Sequence, residues 1–126
     1  MPSNEEINKL SREAMEGDIK KIVSFLKDNL GARITTVMSG KRDARVLNLW
    51  ISGQEKPTSI EELRLRYGYE VTALVVAEYD AETARAWFIC THELLNDGSP
   101  VCWIADHEKE EDLKLVVADA RYFLYR

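Results

Sequence analysis

Short stripes of apolar residues at helical spacing, each followed by a residue that ends a helix, run through this sequence. In the clearest stripe the apolar residues recur at intervals of three and four and stop before Gly31. Its members are Ile19, Ile22, Val23, Leu26 and Leu30. This spacing places apolar side chains on one face of an α-helix, and a glycine suits the position that follows a helix. Convincing two-residue alternation is absent, and residues 73–77 are the only plausible strand, so the pattern predicts an all-α fold.

Capping residues in the front half of the chain predict four helices. Ser3 and Glu6 have the spacing of a capping box. Asp18 and Asp43 can cap the second and fourth helices, because a short carboxylate side chain can accept hydrogen bonds from the first N–H groups of a helix. The predicted ends of the four helices are Gly17, Gly31, Gly40 and Gly53.

The back half carries similar signals. Ser59, with Glu62 three residues later, predicts a capped helix in which Gly68 is a weak point or a break. Residues 96–98 read Asn-Asp-Gly and predict a turn. Ser99 then suits an N-cap and proline the first helical position after it. The last apolar stripe predicts a helix over Glu110–Tyr125.

Charge is divided unevenly along the chain. Residues 1–57 carry ten Lys and Arg against eight Asp and Glu, a net charge of +2, whereas residues 58–126 carry seven against fourteen, a net charge of −7. We therefore predict two functional parts, 1–57 and 58–126. Because phosphate contacts dominate affinity for DNA, a front half of +2 would need two copies side by side to bind DNA tightly.

Composition and length narrow the class of protein. The 126 residues can bury one core or two small helical ones, and 45% hydrophobic residues are ordinary for a folded domain. A membrane span needs about 20 consecutive apolar residues. The chain has no such run and begins with an acidic segment, so we expect a cytoplasmic protein that does not bind membranes. Cys90 and Cys102 are expected to be free, partly buried thiols.

Residues 32–57 have the pattern of a helix-turn-helix, with two short amphipathic helices joined by a tight turn at Gly40. If the apolar face of the second helix is turned inward, Arg45 and Asn48 project outward together. Arginine suits guanine and asparagine suits adenine in the major groove of DNA. The residues predicted to contact DNA are Lys41, Arg42, Arg45, Asn48, Gln54 and Lys56.

Catalytic and metal-binding arrangements are not convincing in this sequence. Cys90, His92, Cys102 and His107 could supply zinc ligands, but their spacing does not match the tight pairs of structural zinc sites. Cys90 and His92 are two residues apart and would not face each other on a helix, which argues against a nucleophile and its base. We therefore expect no enzymatic activity, no bound metal and no cofactor.

Two patterns resemble those of the Xre/MbcA/ParS-type antitoxin family. The first, V-x-x-W-x-x-G-x-x-x-P, maps to Val46 or Leu47, Trp50, Gly53 and Pro57. The second is a tryptophan followed by a leucine, Gly-x-Pro and an apolar helix; it maps to Trp87, Leu94 or Leu95, Gly98 and Pro100. The resemblance implies an Xre-like helix-turn-helix followed by a small helical domain for toxin binding or dimerisation. It also implies a homodimer that represses its own double-stranded DNA operator and neutralises a RES-type toxin by direct binding.

The aromatic end of the chain suggests where a toxin could bind. Tyr122, Tyr125 and Arg126 are residue types favoured in protein interfaces, and an acidic half could complement a basic toxin. Packing in the core or in a dimer explains the tyrosines equally well. Two other functions stay open: a stand-alone Xre-like regulator whose C-terminal half dimerises or binds a ligand, and an interaction adaptor that never contacts DNA.

Overall fold

The computed structural model describes residues 3–125, and most of that part of the chain is helical. In chain order the helices are α1 Asn4–Glu16, α2 Ile19–Leu30, α3 Ala32–Ser39, α4 Arg45–Ser52, α5 Ser59–Glu78, α6 Ala81–Ile89, α7 Pro100–Asp106 and α8 Glu110–Tyr125, with a short 3₁₀ helix at Glu93–Leu95. Residues 73–77, the one plausible strand, lie inside α5. The all-α prediction is confirmed.

Several predicted helix boundaries are confirmed by their hydrogen bonds. The Ser3 side chain accepts from the backbone N–H of Glu6, and Asp18 accepts from Lys20. Ser99 caps α7, and proline occupies the first turn of that helix. The last helix has the bounds that the apolar stripe predicts. At the three capped starts the donor and acceptor are two or three residues apart, so local sequence is sufficient to specify these boundaries.

The prediction for the start of α5 is wrong. Its N-cap is Thr58, in a capping box with Glu61, one residue before the predicted pair. Gly68 does not break the helix, which continues to Glu78. A Cβ atom at position 68 would overlap the Sδ atom of Met38. The glycine is therefore explained by the close approach of α3 to α5.

A long central helix, α5, organises the core. It packs against α1, α2, α3, α6 and α8, and most of its middle turns are buried. One cluster of buried apolar side chains includes Leu26 and Trp50 from the front half together with Leu74 and Phe88 from the back half. The front and back halves therefore share a hydrophobic core. The functional division at residue 57 stays a prediction.

A buried arginine links elements from both halves of the chain. Arg64 of α5 donates from Nε to the carbonyl oxygen of His107, at 3.1 Å, and from Nη1 to that of Ser39, at 3.2 Å. Ser39 ends α3, and His107 follows α7. Helix C-termini leave carbonyl groups without partners and carry a partial negative charge. The guanidinium group of Arg64 donates a hydrogen bond to a carbonyl oxygen at each of these two helix ends.

The first helix packs on α5 of the same subunit. Arg66 Nη1 donates to the carbonyl oxygens of Ala14 and Gly17, at 3.1 and 2.9 Å. The Ser11 hydroxyl donates to Oε2 of the buried Glu70 at 2.9 Å. These contacts place the end of α1 directly beside the middle of α5.

The two cysteines differ from expectation. Both thiols are free, as predicted, but Cys90 and Cys102 are exposed rather than partly buried. Cys90 directly follows α6 and Cys102 lies on the outer face of α7, so neither belongs to the apolar stripes. In residues 3–125, no helix has the length and apolar character that a membrane crossing requires.

Candidate nucleic-acid interface and partner-binding surface

Helix α4 has one buried face and one exposed face, as the sequence predicts. Leu47 is completely buried and Trp50 is 2% exposed. Arg45 and Asn48 lie on the opposite, exposed face. Because Trp50 is large and held within the core, it fixes how α4 is rotated about its axis. The rest of the subunit therefore leaves the two predicted base-reading side chains open to solvent.

The turn before α4 depends on a glycine. Gly40 has φ of 97°, in the left-handed region that favours glycine, and its N–H bonds back to carbonyls of α3. A Cβ atom there would also come within 2.6 Å of the Arg64 guanidinium. The N-cap of α4 is Ala44 and not Asp43 as predicted, but the Asp43 carboxylate still accepts from the N–H of Arg45 at 3.0 Å. Together these bonds fix how the chain enters α4.

Arg45 is paired with a neighbouring carboxylate. Its Nη2 lies 2.6 Å from Oδ2 of Asp43, and its Nε lies 2.9 Å from the same oxygen. This hydrogen bonding lowers the pKa of Asp43 to about 2. The Arg45 side chain is nonetheless 89% exposed. Since exposed ion pairs contribute little stability, the pair can open when a stronger acceptor approaches.

A second predicted cation, Lys41, is also engaged. Its Nζ lies 3.1 Å from Oε2 of Glu61. Burial raises the pKa of Glu61, but hydrogen bonds from Thr58 and Lys41 outweigh it, and the net shift is downward. Glu61 is also the carboxylate of the α5 capping box. Lys41 is therefore tied to the start of α5 rather than pointing freely into solvent.

One residue of this surface, Lys27, was missed by the sequence analysis. Its Nζ donates to Oδ1 of Asn48 at 3.0 Å. Helix α2 packs beside α4, and this packing brings the two side chains together. Lys20 lies two turns earlier on α2, and its side chain is close enough to Gly53 that a Cβ atom at position 53 would meet it. The seven-residue spacing of the two lysines, outside the apolar stripe, was the available signal.

The remaining predicted DNA-binding residues are exposed. Arg42 and Lys41 line an open groove of about 640 Å³, together with Arg33 of α3. The end of α7 contributes Asp106 to the same groove. Gln54 and Lys56 are exposed in the segment that follows α4. We call the side chains of Lys27, Lys41, Arg42, Arg45 and Asn48 the α4 face.

The predicted toxin-binding residues differ in exposure. Tyr122 is 59% exposed on α8. Tyr125 is half-buried; its hydroxyl has no hydrogen-bond partner within residues 3–125, and burial raises its pKa. Arg126 lies outside the described residues. The interface role of these residues stays a prediction.

A pocket of about 490 Å³ opens beside Tyr122. We call it the α8 pocket; its lining residues are Trp87, His92, Glu93, Leu94, Asp119, Tyr122 and Phe123. Asn96 and Asp97 both have positive φ, and this tight turn brings residue 98 back to pair with residue 92. The predicted turn at 96–98 therefore shapes one wall of the pocket.

His92 lines this pocket and makes two polar contacts. Its Nδ1 lies 2.7 Å from Oδ2 of Asp119, and its Nε2 lies 3.1 Å from the carbonyl oxygen of Trp87. The other candidate ligand, His107, contacts the carbonyl oxygen of Trp103 at 2.6 Å and stacks on that indole ring. Across residues 3–125, no three acidic, histidine or cysteine side chains form a group that could hold a metal.

The two surfaces belong to an all-helical chain with a polar, cation-bearing face at one place and an aromatic, acidic pocket at another. No family model, curated protein or solved structure matches it. The resemblance to Xre/MbcA/ParS-type antitoxins therefore depends on the residues of the two patterns themselves.

Proposed function

We propose that this chain is an antitoxin that binds double-stranded DNA through the α4 face and neutralises a protein toxin of the RES type through its C-terminal half. Two copies would bind one operator, and that binding would repress transcription of the antitoxin's own gene. The sequence patterns around Trp50 and Trp87 support the family assignment. The acidic balance of residues 58–126 supports a protein partner rather than DNA for that half.

One observation carries the DNA-binding part of the proposal. Trp50 is buried while Arg45 and Asn48, on the same short helix, project from the opposite face. A recognition helix needs this arrangement, because its inward face must be anchored while its outward face reaches base edges. At the surface Arg45 pairs with Asp43 and Asn48 pairs with Lys27, so both side chains lie outside the core.

The direct test is binding to the duplex upstream of the chain's own gene. Arg45→Ala with Asn48→Ala should weaken specific binding by at least about 30-fold, because each base contact contributes about 1–3 kcal/mol. The matched control is Arg12→Ala with Asn8→Ala, which removes the same residue types from exposed positions of α1. Fluorescence anisotropy against competitor DNA measures both. Unchanged binding in the α4 variant would refute the assignment of α4 as the recognition helix.

The toxin-binding part requires a separate experiment. Co-expression of this chain with the product of the neighbouring gene should give a complex that survives size-exclusion chromatography and relieves growth arrest. Tyr122→Ala should weaken that complex without affecting DNA binding, since Tyr122 is exposed on α8 and lies outside the α4 face. A neighbouring gene whose product is neither toxic nor bound would refute the antitoxin role while leaving DNA binding to be judged on its own.

A further inference from the structure

The α8 pocket combines aromatic walls with negative charge. Trp87, Tyr122 and Phe123 supply the rings, and Glu93 and Asp119 supply carboxylates. No lysine or arginine of the described chain lines it. The only basic group in the lining is His92, and it is occupied by Asp119.

The carboxylate of Glu93 is the charged group of the pocket that a ligand can reach. It is exposed at the pocket rim, and no ion pair joins it to another side chain of residues 3–125. Leu94 beside it is 62% exposed. A carboxylate next to exposed apolar and aromatic surface favours a ligand that is positively charged and has a flat or apolar body.

The aromatic surface continues beyond the pocket. Tyr79, which is 54% exposed, has its ring centroid 5.9 Å from that of Phe123. Within the pocket wall, Trp87 is buried and its indole N–H has no hydrogen-bond partner among the described residues. Large exposed aromatic side chains grouped in one place are typical of a surface that another protein covers.

We propose that the α8 pocket receives an arginine side chain of the partner protein. Arginine fits better than lysine because its planar guanidinium stacks on aromatic faces, loses its hydration more easily and pairs with carboxylates through a fork of N–H donors. In this arrangement Tyr122 contributes a ring face and Glu93 contributes the charge. The inference rests on the proposed function in one respect only, namely that the protein carrying the arginine is the toxin.

The test is an NMR titration of the full chain with acetyl-Gly-Arg-Gly-amide. Saturable shifts are expected at the indole N–H of Trp87 and at the amides of Glu93, Leu94 and Tyr122. The citrulline peptide, which has nearly the same shape without the charge, should give no saturation. The lysine peptide should bind several-fold more weakly than the arginine peptide.

Two variants test which groups bind the peptide. Glu93→Gln and Tyr122→Leu should each weaken arginine binding by about two- to fivefold. Glu111→Gln makes the same charge change at an exposed position of α8 outside the pocket and should leave binding unchanged. A spectrum that keeps its dispersion shows that each variant remains folded.

The outcomes separate this inference from the proposed function. Absence of saturation, equal binding of citrulline, or lysine binding as tight as arginine would overturn the arginine assignment even if a toxin complex forms. Saturation at the α8 pocket in a chain that binds neither its operator nor a toxin would support the pocket and refute the proposed function.

Discussion

The α4 face and the α8 pocket are both built on short stretches of helix, but they present opposite chemistry. On the α4 face, long polar side chains extend into solvent and pair with one another, as in Arg45 with Asp43 and Asn48 with Lys27. In the α8 pocket, the contact between His92 and Asp119 is largely buried, and the exposed lining residues are Glu93, Leu94 and Tyr122. Exposed side-chain pairs contribute little stability and can be exchanged for a ligand, whereas the contact between His92 and Asp119 is part of the pocket wall.

The α4 face and the α8 pocket are held in place by different parts of the structure. The α4 face is rigid because of what lies beneath it, since Trp50 anchors the helix. The α8 pocket is rigid because its own walls are held by the turn at 96–98 and by the contacts of His92. Substitutions beneath the α4 face should therefore affect stability, and substitutions at the rim of the α8 pocket should affect binding alone.

The largest expected effect is a difference in stability between two aromatic substitutions, one at Trp50 and one at Tyr122. Trp50→Ala removes a buried indole and should lower the free energy of unfolding by about 3–5 kcal/mol. Tyr122→Ala, at an exposed position, should change it by no more than about 0.5 kcal/mol. Urea denaturation followed by circular dichroism measures both. A destabilisation by Tyr122→Ala comparable to that of Trp50→Ala would break the comparison.

A smaller effect is expected where α3 packs on α5. Gly68→Ala places a methyl group against Met38 and should destabilise the protein by about 1–2 kcal/mol, because overpacking outweighs the gain in helix propensity. In a Met38→Ala background the same substitution should instead be stabilising. Thermal unfolding of the wild type, the two single variants and the double variant completes this double-mutant cycle. Stabilisation by Gly68→Ala alone would show that the close approach does not constrain this position.

The third prediction concerns charge on the α4 face under the proposed function. Asp43→Asn removes the carboxylate that pairs with Arg45 and should strengthen DNA binding about two- to fivefold. Asp28→Asn, at an exposed position of α2, is the control for the same change in net charge. Anisotropy at two salt concentrations measures both variants. Equal effects of the two substitutions would mean that only overall charge matters.

The smallest effect is local and depends on pH. The bond from Arg45 holds the pKa of Asp43 at about 2, below the ordinary value of 3.8. Its stabilising contribution is therefore present above about pH 4 and lost as the pH falls through 2. In Arg45→Ala the pKa of Asp43 should return towards 3.8 in a carbon-13 NMR titration. A pKa that stays near 2 would show that another group holds the carboxylate.

Local signals in the sequence were sufficient for most of the fold. The cap at Ser3, the turn at 96–98 and the bounds of α8 each depend on residues close together in the chain. The start of α5 was ambiguous because Thr58 and Ser59 are adjacent hydroxyl residues, each with a glutamate three residues later. The path of the chain before α5 determines which of the two residues is the N-cap.

Contacts between distant residues could not be predicted. Lys27 and Asn48 are 21 residues apart, and their hydrogen bond follows from the packing of α2 on α4. The α8 pocket likewise combines α6, the 92–98 turn and α8. Helix propensity alone predicts a weak point or a break at Gly68, whereas the helix continues there and α3 packs closely on it through Met38. The inward and outward faces of α4 were predictable because a helical period alone defines them.

The Arg64 side chain joins the front and back parts of the chain through two hydrogen bonds. One guanidinium closes the ends of α3 and α7, which lie on either side of residue 57 in the chain. If the chain were severed at that point, the front fragment would keep an uncovered carbonyl at Ser39 and the back fragment would keep a cation without its second acceptor. Each fragment would thus lack a group that only the other can provide, and reassembly of the pair would restore both bonds together.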